Sequence, residues 1–416
     1  MATSLLTSSP SVTDDLLDTI SLYIHIPFCH KKCHYCDFNS YAGLMGWRTK
    51  YVKALNREIA LVGAAARLPD GAPRRCRTIF FGGGTPSLLR PKEIASILTA
   101  AHAAFAVDAD AEITLEANPG TLERQRLDEL HATGLTRISM GAQSFDAGLL
   151  QWMGRIHSAE EIGGAVRAAR AGGFDNLNLD FIFALPNQTM EQWTDTLEKA
   201  IALEPEHLSL YSLIVEPTTP LFDWVEAGEV TPADDDIAAD MYGYAQERMT
   251  SAGYQQYEIS NWSKSGYTCD HNLTYWHNQP YIGVGAGAHS SFDGRRFMNV
   301  KPVEEYVAAL AGDWVPQPGA VGALGGPVIE STQTSRRAAM AETAIMALRL
   351  NEGLDVGAFE QRFGLAFETI YGVPSDELVR WGILEWAPSA HTRHLRLTEQ
   401  GRLVGNEVFE RFLLDE

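Results

Sequence analysis

The chain has 416 residues, 45% hydrophobic and 21% charged, which is long enough for one large folded domain and a smaller one. Its 53 acidic side chains against 33 basic ones leave a net charge of −20, which repels phosphate backbones and anionic lipid heads and excludes nucleic acid as an expected partner. No apolar run is long enough to cross a bilayer, and the first twenty residues, which hold Asp14, Asp15 and Asp18 but no Lys or Arg, lack a basic leader, so the expected location is the cytoplasm.

Residues 1–18 read as a loose Ser/Thr-rich tail. Six short β-branched or aromatic runs follow, at Leu22–Ile26, Thr78–Phe81, Glu112–Glu116, Arg137–Met140, Asn176–Phe183 and His207–Leu213. Segments of helical spacing separate them, near 47–66, 91–105, 123–133, 158–171 and 190–203. Capping boxes mark two of the helix starts, Ser158 with Glu161 and Thr189 with Gln192. This α/β alternation predicts parallel units with right-handed crossovers, arranged either as a partial (β/α)6 barrel or as a doubly wound sheet. In both arrangements the working loops follow the carboxyl ends of the strands.

Residues 19–300 are expected to form this first domain with an irregular extension, which holds an acidic helix near 235–252 and an aromatic, polar stretch from Tyr254 to Phe292. Residues 301–335 read as a linker, because Gln317–Pro327 is rich in Gly, Ala and Pro. Residues 336–416 predict helices at 337–350, 355–363 and 375–381, a strand pair at Ile383–Trp386 and His394–Leu397, and a last helix from Glu399 to Leu414. Helices closed by a hairpin make a small winged-helix-like C-terminal domain. It carries nine Arg, no Lys and thirteen acidic residues, which disfavours DNA and favours a structural or docking role.

The chemistry concentrates at strand ends. Cys29, Cys33 and Cys36 fall within eight residues after the first run, and the remaining cysteines, Cys76 and Cys269, are expected as buried thiols. An odd total with three clustered is poor arithmetic for disulfides and good arithmetic for soft metal. Two metals remain open. One is a [4Fe–4S] cluster with one iron left without a protein ligand. The other is zinc, completed by His25, His30 or His34. Gly82, Gly83 and Gly84 precede Thr85 and Pro86 after the second strand. They allow close backbone approach to a ligand, and no Lys-Ser/Thr follows to make a phosphate loop. Glu116 and Asp180, on the third and fifth strands, suit a cationic ligand with a ribose diol, and Gln143 and Arg155 are further polar candidates.

The spacing Cys-x-x-x-Cys-x-x-Cys after a first strand resembles the radical S-adenosylmethionine superfamily, in which the open iron chelates that cofactor. The motifs Tyr23-Ile-His-Ile-Pro-Phe-Cys29, Phe81-Gly-Gly-Gly-Thr-Pro-Ser87, Leu115-Glu-Ala-Asn-Pro119 and Arg137-Ile-Ser-Met-Gly-Ala-Gln143-Ser resemble its oxygen-independent coproporphyrinogen III oxidase branch. So do Gly154-Arg155-Ile-His157-Ser, Asn178-Leu-Asp180-Phe-Ile-Phe-Ala-Leu-Pro186 and Leu208-Ser-Leu-Tyr211-Ser. The resemblance runs from about residue 20 to the C-terminus. It implies a partial (β/α)6 TIM-type barrel and a cluster on Cys29, Cys33 and Cys36. It implies S-adenosylmethionine contacts from Tyr23, Tyr35, Gly83, Gly84, Thr85, Glu116, Gln143, Arg155 and Asp180.

Two features depart from the oxidases. Phe38 stands where they carry a further cysteine, and the segment before the first strand is shorter than theirs. Cys36-Asp-Phe-Asn39 and His271-Asn272-Leu-Thr-Tyr275-Trp276 resemble the HemW-type heme chaperones instead. That likeness implies heme as cargo, and acceptor haemoproteins, including respiratory proteins in membranes, reached through a protein partner more than through lipid charge. His271 is the candidate heme ligand, with Tyr267, Tyr275 and Trp276 as an aromatic wall. The alternative for His271 is a hydrogen-bonded polar role. The rival functions are oxidative decarboxylation of porphyrinogen propionates and a zinc-stabilised interaction protein without redox chemistry.

Overall fold

The computed structural model describes residues 18–122, 124–388 and 392–413. The expected tail, apart from Asp18, and the end of the expected last helix lie outside these residues. The first half runs β1 (Thr19–Ile26), α1 (Arg48–Ala65), β2 (Arg75–Gly83), α2 (Pro91–Ala104), β3 (Ala106–Ala117), α3 (Arg124–His131), β4 (Arg137–Gln143), α4 (Ala159–Ala171), β5 (Leu177–Phe183), α5 (Met190–Ala202) and β6 (His207–Ser212). The six strands pair in parallel and in chain order. An order without reversal means that every crossover steps the same way. Right-handed crossovers then place all five helices on one face, as in a barrel wall. A doubly wound sheet reverses its order and is excluded. Leu22, Ile24, Ile79, Phe81, Leu115, Ile138, Leu179 and Phe181 are fully or almost fully buried, as strands covered on both faces require.

Both capping boxes form. Glu161 N–H donates to Ser158 Oγ at 3.4 Å while Ser158 N–H donates to Glu161 Oε2 at 2.7 Å. Thr189 and Gln192 exchange the same pair of bonds at 3.2 and 3.0 Å.

After β6 come α6 (Asp235–Ser251), β7 (Gln255–Gln256), β8 (Asn261–Ser263), α7 (Asp270–Trp276), β9 (Tyr281–Val284), β10 (His289–Phe292), β11 (Arg295–Asn299), α8 (Val303–Ala309) and β12 (Val328–Gln333). β8 runs antiparallel to β6 and carries β7 outside it. β9 returns to the far edge and pairs in parallel with β1, from Ser21 against Tyr281 to Ile24 against Val284. β10, β11 and β12 continue outward as an antiparallel meander, giving a twelve-stranded sheet.

Residues 301–335, expected as a linker, thus contain a helix and the outermost strand. Two of the glycines that imitate a linker abut aromatic rings: a Cβ on Gly322 would strike Phe297 and one on Gly326 the Trp314 ring. The extension is fastened to α1 by Glu58. This buried carboxyl accepts from Gly285 N–H at 2.8 Å, Asn299 Nδ2 at 2.6 Å and the Tyr306 hydroxyl at 2.5 Å.

The C-terminal unit holds α9 (Arg336–Leu348), β13 (Leu354–Asp355), α10 (Val356–Phe363), α11 (Phe367–Arg380), β14 (Leu384–Pro388) and β15 (Arg393–Leu397), with β15 central in a three-stranded antiparallel sheet. Phe359, Phe367, Tyr371, Leu395 and Phe412 form its core. The middle helix starts eight residues before the expected one and carries Pro374 inside it. The last expected helix is two short ones, Glu399–Leu403 and Gly405–Glu410. The unit docks on α7 and its surroundings. Asn278 Nδ2 donates to Thr343 Oγ1 at 3.0 Å, Arg362 Nη1 to Asn278 O at 3.1 Å, and Asn351 Nδ2 to Gln256 O at 2.7 Å. Among the described residues no helix is long and apolar enough to cross a membrane.

Candidate cluster and cofactor site

The loops after the parallel strands surround a cleft of about 400 Å³. Cys29, Cys33, Tyr35, Cys36, Gly83, Gly84, Thr85, Glu116, Gln143, Arg155 and Asp180 all line it. Of the residues expected at the site, only Tyr23 and His271 lie apart, in a smaller cavity of about 160 Å³ that shares Glu116, Ser139, Asp180 and Tyr211 with the cleft.

The cysteine loop is held from several sides. Phe28–Cys29 pairs as a short strand with Tyr41–Ala42. His34 N–H donates to Met153 O at 3.2 Å, its Nδ1 lies 2.7 Å from Trp152 O, and Leu221 N–H donates to His34 O at 3.0 Å. Asn39 Nδ2 donates to Ala286 O at 2.9 Å and Lys301 O at 3.1 Å. Beneath, His25 Nε2 lies 2.8 Å from Asn39 O and its Nδ1 lies 3.1 Å from the Tyr23 hydroxyl. Burial lowers His25 to about 4, so the ring is neutral. A carbonyl only accepts, which places the His25 proton on Nε2 and lets Nδ1 accept from Tyr23.

All three cysteines are free thiols. The Thr85 hydroxyl donates to Cys29 Sγ at 3.7 Å, and Arg155 Nη1 donates to Cys33 Sγ at 3.3 Å while its Nη2 holds Gly141 O at 2.7 Å. Burial raises the Cys29 and Cys36 thiols. Three soft donors beside a fixed guanidinium fit an anionic thiolate-bound iron cluster.

The glycine run answers first to β1. A Cβ on Gly83, where φ is +111°, would strike the His25 ring, and one on Gly84 would meet Phe28 O at 2.6 Å. The Gly83 N–H donates to Glu116 Oε2 at 3.1 Å. Glu116 is pushed up to about 8, chiefly by burial and then by the charge of Asp180. Burial also raises Asp180, against hydrogen bonds from Asn178 Nδ2 at 2.7 Å and Ser139 Oγ at 3.1 Å. Two buried carboxyls, opposed only in part by the charge of Arg137, suit a cationic ligand.

His271 is enclosed between the barrel interior and the C-terminal unit. Its Nδ1 lies 2.7 Å from Thr78 Oγ1 and its Nε2 lies 2.9 Å from the Tyr275 hydroxyl. It is 1% exposed and lowered to about 3 by burial and then by the charge of Arg137. Iron ligation needs a ring nitrogen, and both are engaged by hydroxyls. In this structure His271 takes the hydrogen-bonded role that was the alternative to heme ligation. The aromatic wall also divides, because Tyr275 serves as a hydrogen-bond partner and Trp276 stacks on Arg349 at 5.1 Å.

Sequence reasoning missed Ser139 and Tyr211, which line both cavities, and Arg137, which is 2% exposed in the smaller one with no hydrogen-bond partner for Nε. It also missed the mouth residues Ile156 and Ile214. The strand-end rule that found Gln143 reaches Tyr211 at the end of β6 and Ile214 just after it. It does not reach Arg137, which opens β4.

A sequentially wound parallel sheet whose first loop carries three thiols, facing carboxylates from the third and fifth strands, defines a radical S-adenosylmethionine protein. Residues 23–200 match the Radical SAM superfamily model, and residues 334–404 match the HemN C-terminal domain. The fold superposes on coproporphyrinogen III oxidase (HemN) from Escherichia coli with a TM-score of 0.77 and 24% identity, covering 95% of this chain and 90% of that one. The chain is 35% identical to the heme chaperone HemW of Bacillus subtilis over 94% of its length and 99% of the relative's. It is 37% identical to that of Escherichia coli, over 96% of its length and 99% of the relative's. The chain belongs to the HemW family of heme chaperones, within the coproporphyrinogen oxidase-like radical S-adenosylmethionine proteins. Its radical S-adenosylmethionine domain implies an iron–sulfur cluster and S-adenosylmethionine.

Proposed function

We propose that this chain is a heme chaperone that holds a [4Fe–4S] cluster on Cys29, Cys33 and Cys36 and S-adenosylmethionine in the adjoining cleft, and passes heme to acceptor haemoproteins. The observation that carries the reading is the convergence of three free thiols, Arg155, Glu116 and Asp180 on one cleft. The heme part rests on likeness to the HemW chaperones and on Phe38, whose benzyl group stands where the oxidases carry a cysteine. Bound there, the cluster supplies one-electron chemistry. Arg155 balances thiolate charge at Cys33 and stays oriented by Gly141 O. Glu116 and Asp180 receive the cationic end of the nucleoside ligand, and Thr85 and Gln143 offer it hydrogen bonds. Tyr23 acts from beneath, through His25 and Asn39, to hold the cysteine loop. The location is cytoplasmic, with membranes reached through a protein partner.

Two measurements on anaerobically reconstituted protein test this. Hemin titration is expected to give a saturable Soret band, and incubation with coproporphyrinogen III is expected to give no vinyl product. Catalytic formation of vinyl groups would reinstate the oxidase.

A pH dependence also follows. A carboxyl that keeps its proton up to about 8 must release it when a cation arrives. Affinity for S-adenosylmethionine is expected to rise as pH is raised towards about 8, by up to about tenfold per pH unit, and to level off above it. Calorimetry in two buffers of different ionisation enthalpy reads the released proton, and Glu116→Gln should lose both the slope and the release. A flat affinity profile in the native protein would remove Glu116 from the site.

A further inference from the structure

Four large apolar side chains stand exposed on the mouth of the cleft. They are Phe38 at 60%, Ile214 at 68%, Ile156 at 46% and Tyr211 at 40% exposure. Three chain segments supply them: the cysteine loop, the turn after Arg155 and the end of β6. Exposed large apolar residues gathered around one opening mark a ligand or partner surface, whereas scattered ones need no explanation. Lys31 and Lys32 stand exposed on the same mouth, Lys32 Nζ donating to Phe38 O at 3.1 Å, in a chain whose net charge is −20. Asp37 and Glu216 are also on it, so the charge of the rim is uneven.

The cleft below has about 400 Å³, a volume that one nucleoside-sized ligand fills. A second, larger and flatter ligand must therefore lie over the opening. We infer that heme docks across this mouth, one macrocycle face on Phe38, Ile156, Tyr211 and Ile214 and its propionates towards Lys31 and Lys32. The inference rests on the heme-chaperone reading and adds the place and the mode of binding. The chemistry matches in kind: an apolar plate meets an apolar rim, and two carboxylates meet the Lys31 and Lys32 ammonium groups on a rim that also holds Asp37 and Glu216. Such a seat leaves the other macrocycle face open, which suits cargo that is handed on. The smaller cavity at His271, about 160 Å³, offers neither the room nor a free ring nitrogen.

The test is hemin titration of the reconstituted full chain, followed by the Soret band and by tryptophan quenching. The wild type is compared with Phe38→Ser/Ile214→Ser and with Lys31→Glu/Lys32→Glu, with melting temperature and iron content recorded for each. The apolar double variant is expected to weaken binding by about tenfold or more. The lysine variant is expected to weaken it by about threefold to tenfold at low salt, with the difference shrinking at high salt. If the folded variants bind hemin as tightly as the wild type, heme sits elsewhere and the inference falls while the chaperone reading stands. Loss of the Soret band in a folded His271→Ala variant, with the rim variants unaffected, would place heme in the interior and overturn it as well. No saturable binding by the wild type would remove the chaperone reading itself.

Discussion

Cys33→Ala is expected to give a folded chain with almost no iron. The loop around Cys33 is fixed by backbone and side-chain bonds that do not use its sulfur: His34 N–H to Met153 O, Leu221 N–H to His34 O, and Asn39 Nδ2 to Ala286 O and Lys301 O. Removing one half-buried sulfur therefore costs little packing. Arg155 loses its bond to Cys33 but keeps Gly141 O. The metal loses a third of its protein ligands, and two thiolates do not retain a four-iron cube. Iron after anaerobic reconstitution should fall from about four per chain to below about one. Cys76→Ala is the contrasting change. That thiol is buried and donates to Thr78 O at 3.3 Å, remote from the cleft, so iron should stay at the wild-type level. Full iron in Cys33→Ala would dismiss the proposed ligand set.

Glu58→Ala is expected to be the most damaging single substitution outside the cleft. It strands two buried donors, Gly285 N–H and the Tyr306 hydroxyl, and leaves Asn299 Nδ2 with only Gly285 O at 2.9 Å. Each unsatisfied group costs about 1–3 kcal/mol, so a total near 4 kcal/mol or more is about a third of the stability of an ordinary domain. The damage should spread to the metal site. Gly285 precedes Ala286, whose carbonyl anchors Asn39 in the cysteine loop.

The size of the effect depends on pH. Burial pushes Glu58 up from 4.5 to about 7, against the three donors. A carboxyl with its folded value raised contributes stability that is complete below 4.5 and is lost as pH rises through about 7. The wild type therefore carries a penalty at pH 8 that it lacks at pH 4. The variant has no such carboxyl, so its deficit in denaturant unfolding should be smaller on the alkaline side. Equal deficits at both ends of the range would show that Glu58 ionises normally.

The six parallel strands and five crossover helices were legible because parallel strands are apolar on both faces and helices keep their period and caps. Ser158 and Thr189 are local signals with local causes. The cleft was legible for a related reason: its chemistry sits at strand ends, where Cys29, Glu116 and Gln143 fall, with Asp180 one strand over in the middle of β5. What stayed hidden depends on distant contact. β9 has only four residues, and its partner β1 lies some 260 positions upstream, so no window of sequence contains the pairing. Gln317–Pro327 carries the composition of a spacer, yet Trp314 and the β11–β12 ladder give its glycines at 325 and 326 a folded purpose. His271 shows the limit of a motif. The pattern with Tyr275 and Trp276 is plain in the chain, but only the fold shows that Thr78 takes one ring nitrogen and Tyr275 the other.

The tie from Asn39 to Ala286 and Lys301 has a consequence for biosynthesis. A nascent chain emerges from the ribosome amino end first, so the three thiols appear early while their anchor is still unmade. β1 likewise waits for β9 before its second edge is covered. The thiols must remain reduced and unclaimed through the synthesis of more than half the polypeptide. If the loop holds the proposed cluster, loading is expected to follow synthesis of Ala286 and Lys301, and a ribosome stalled before residue 286 is expected to present the three thiols without that anchor.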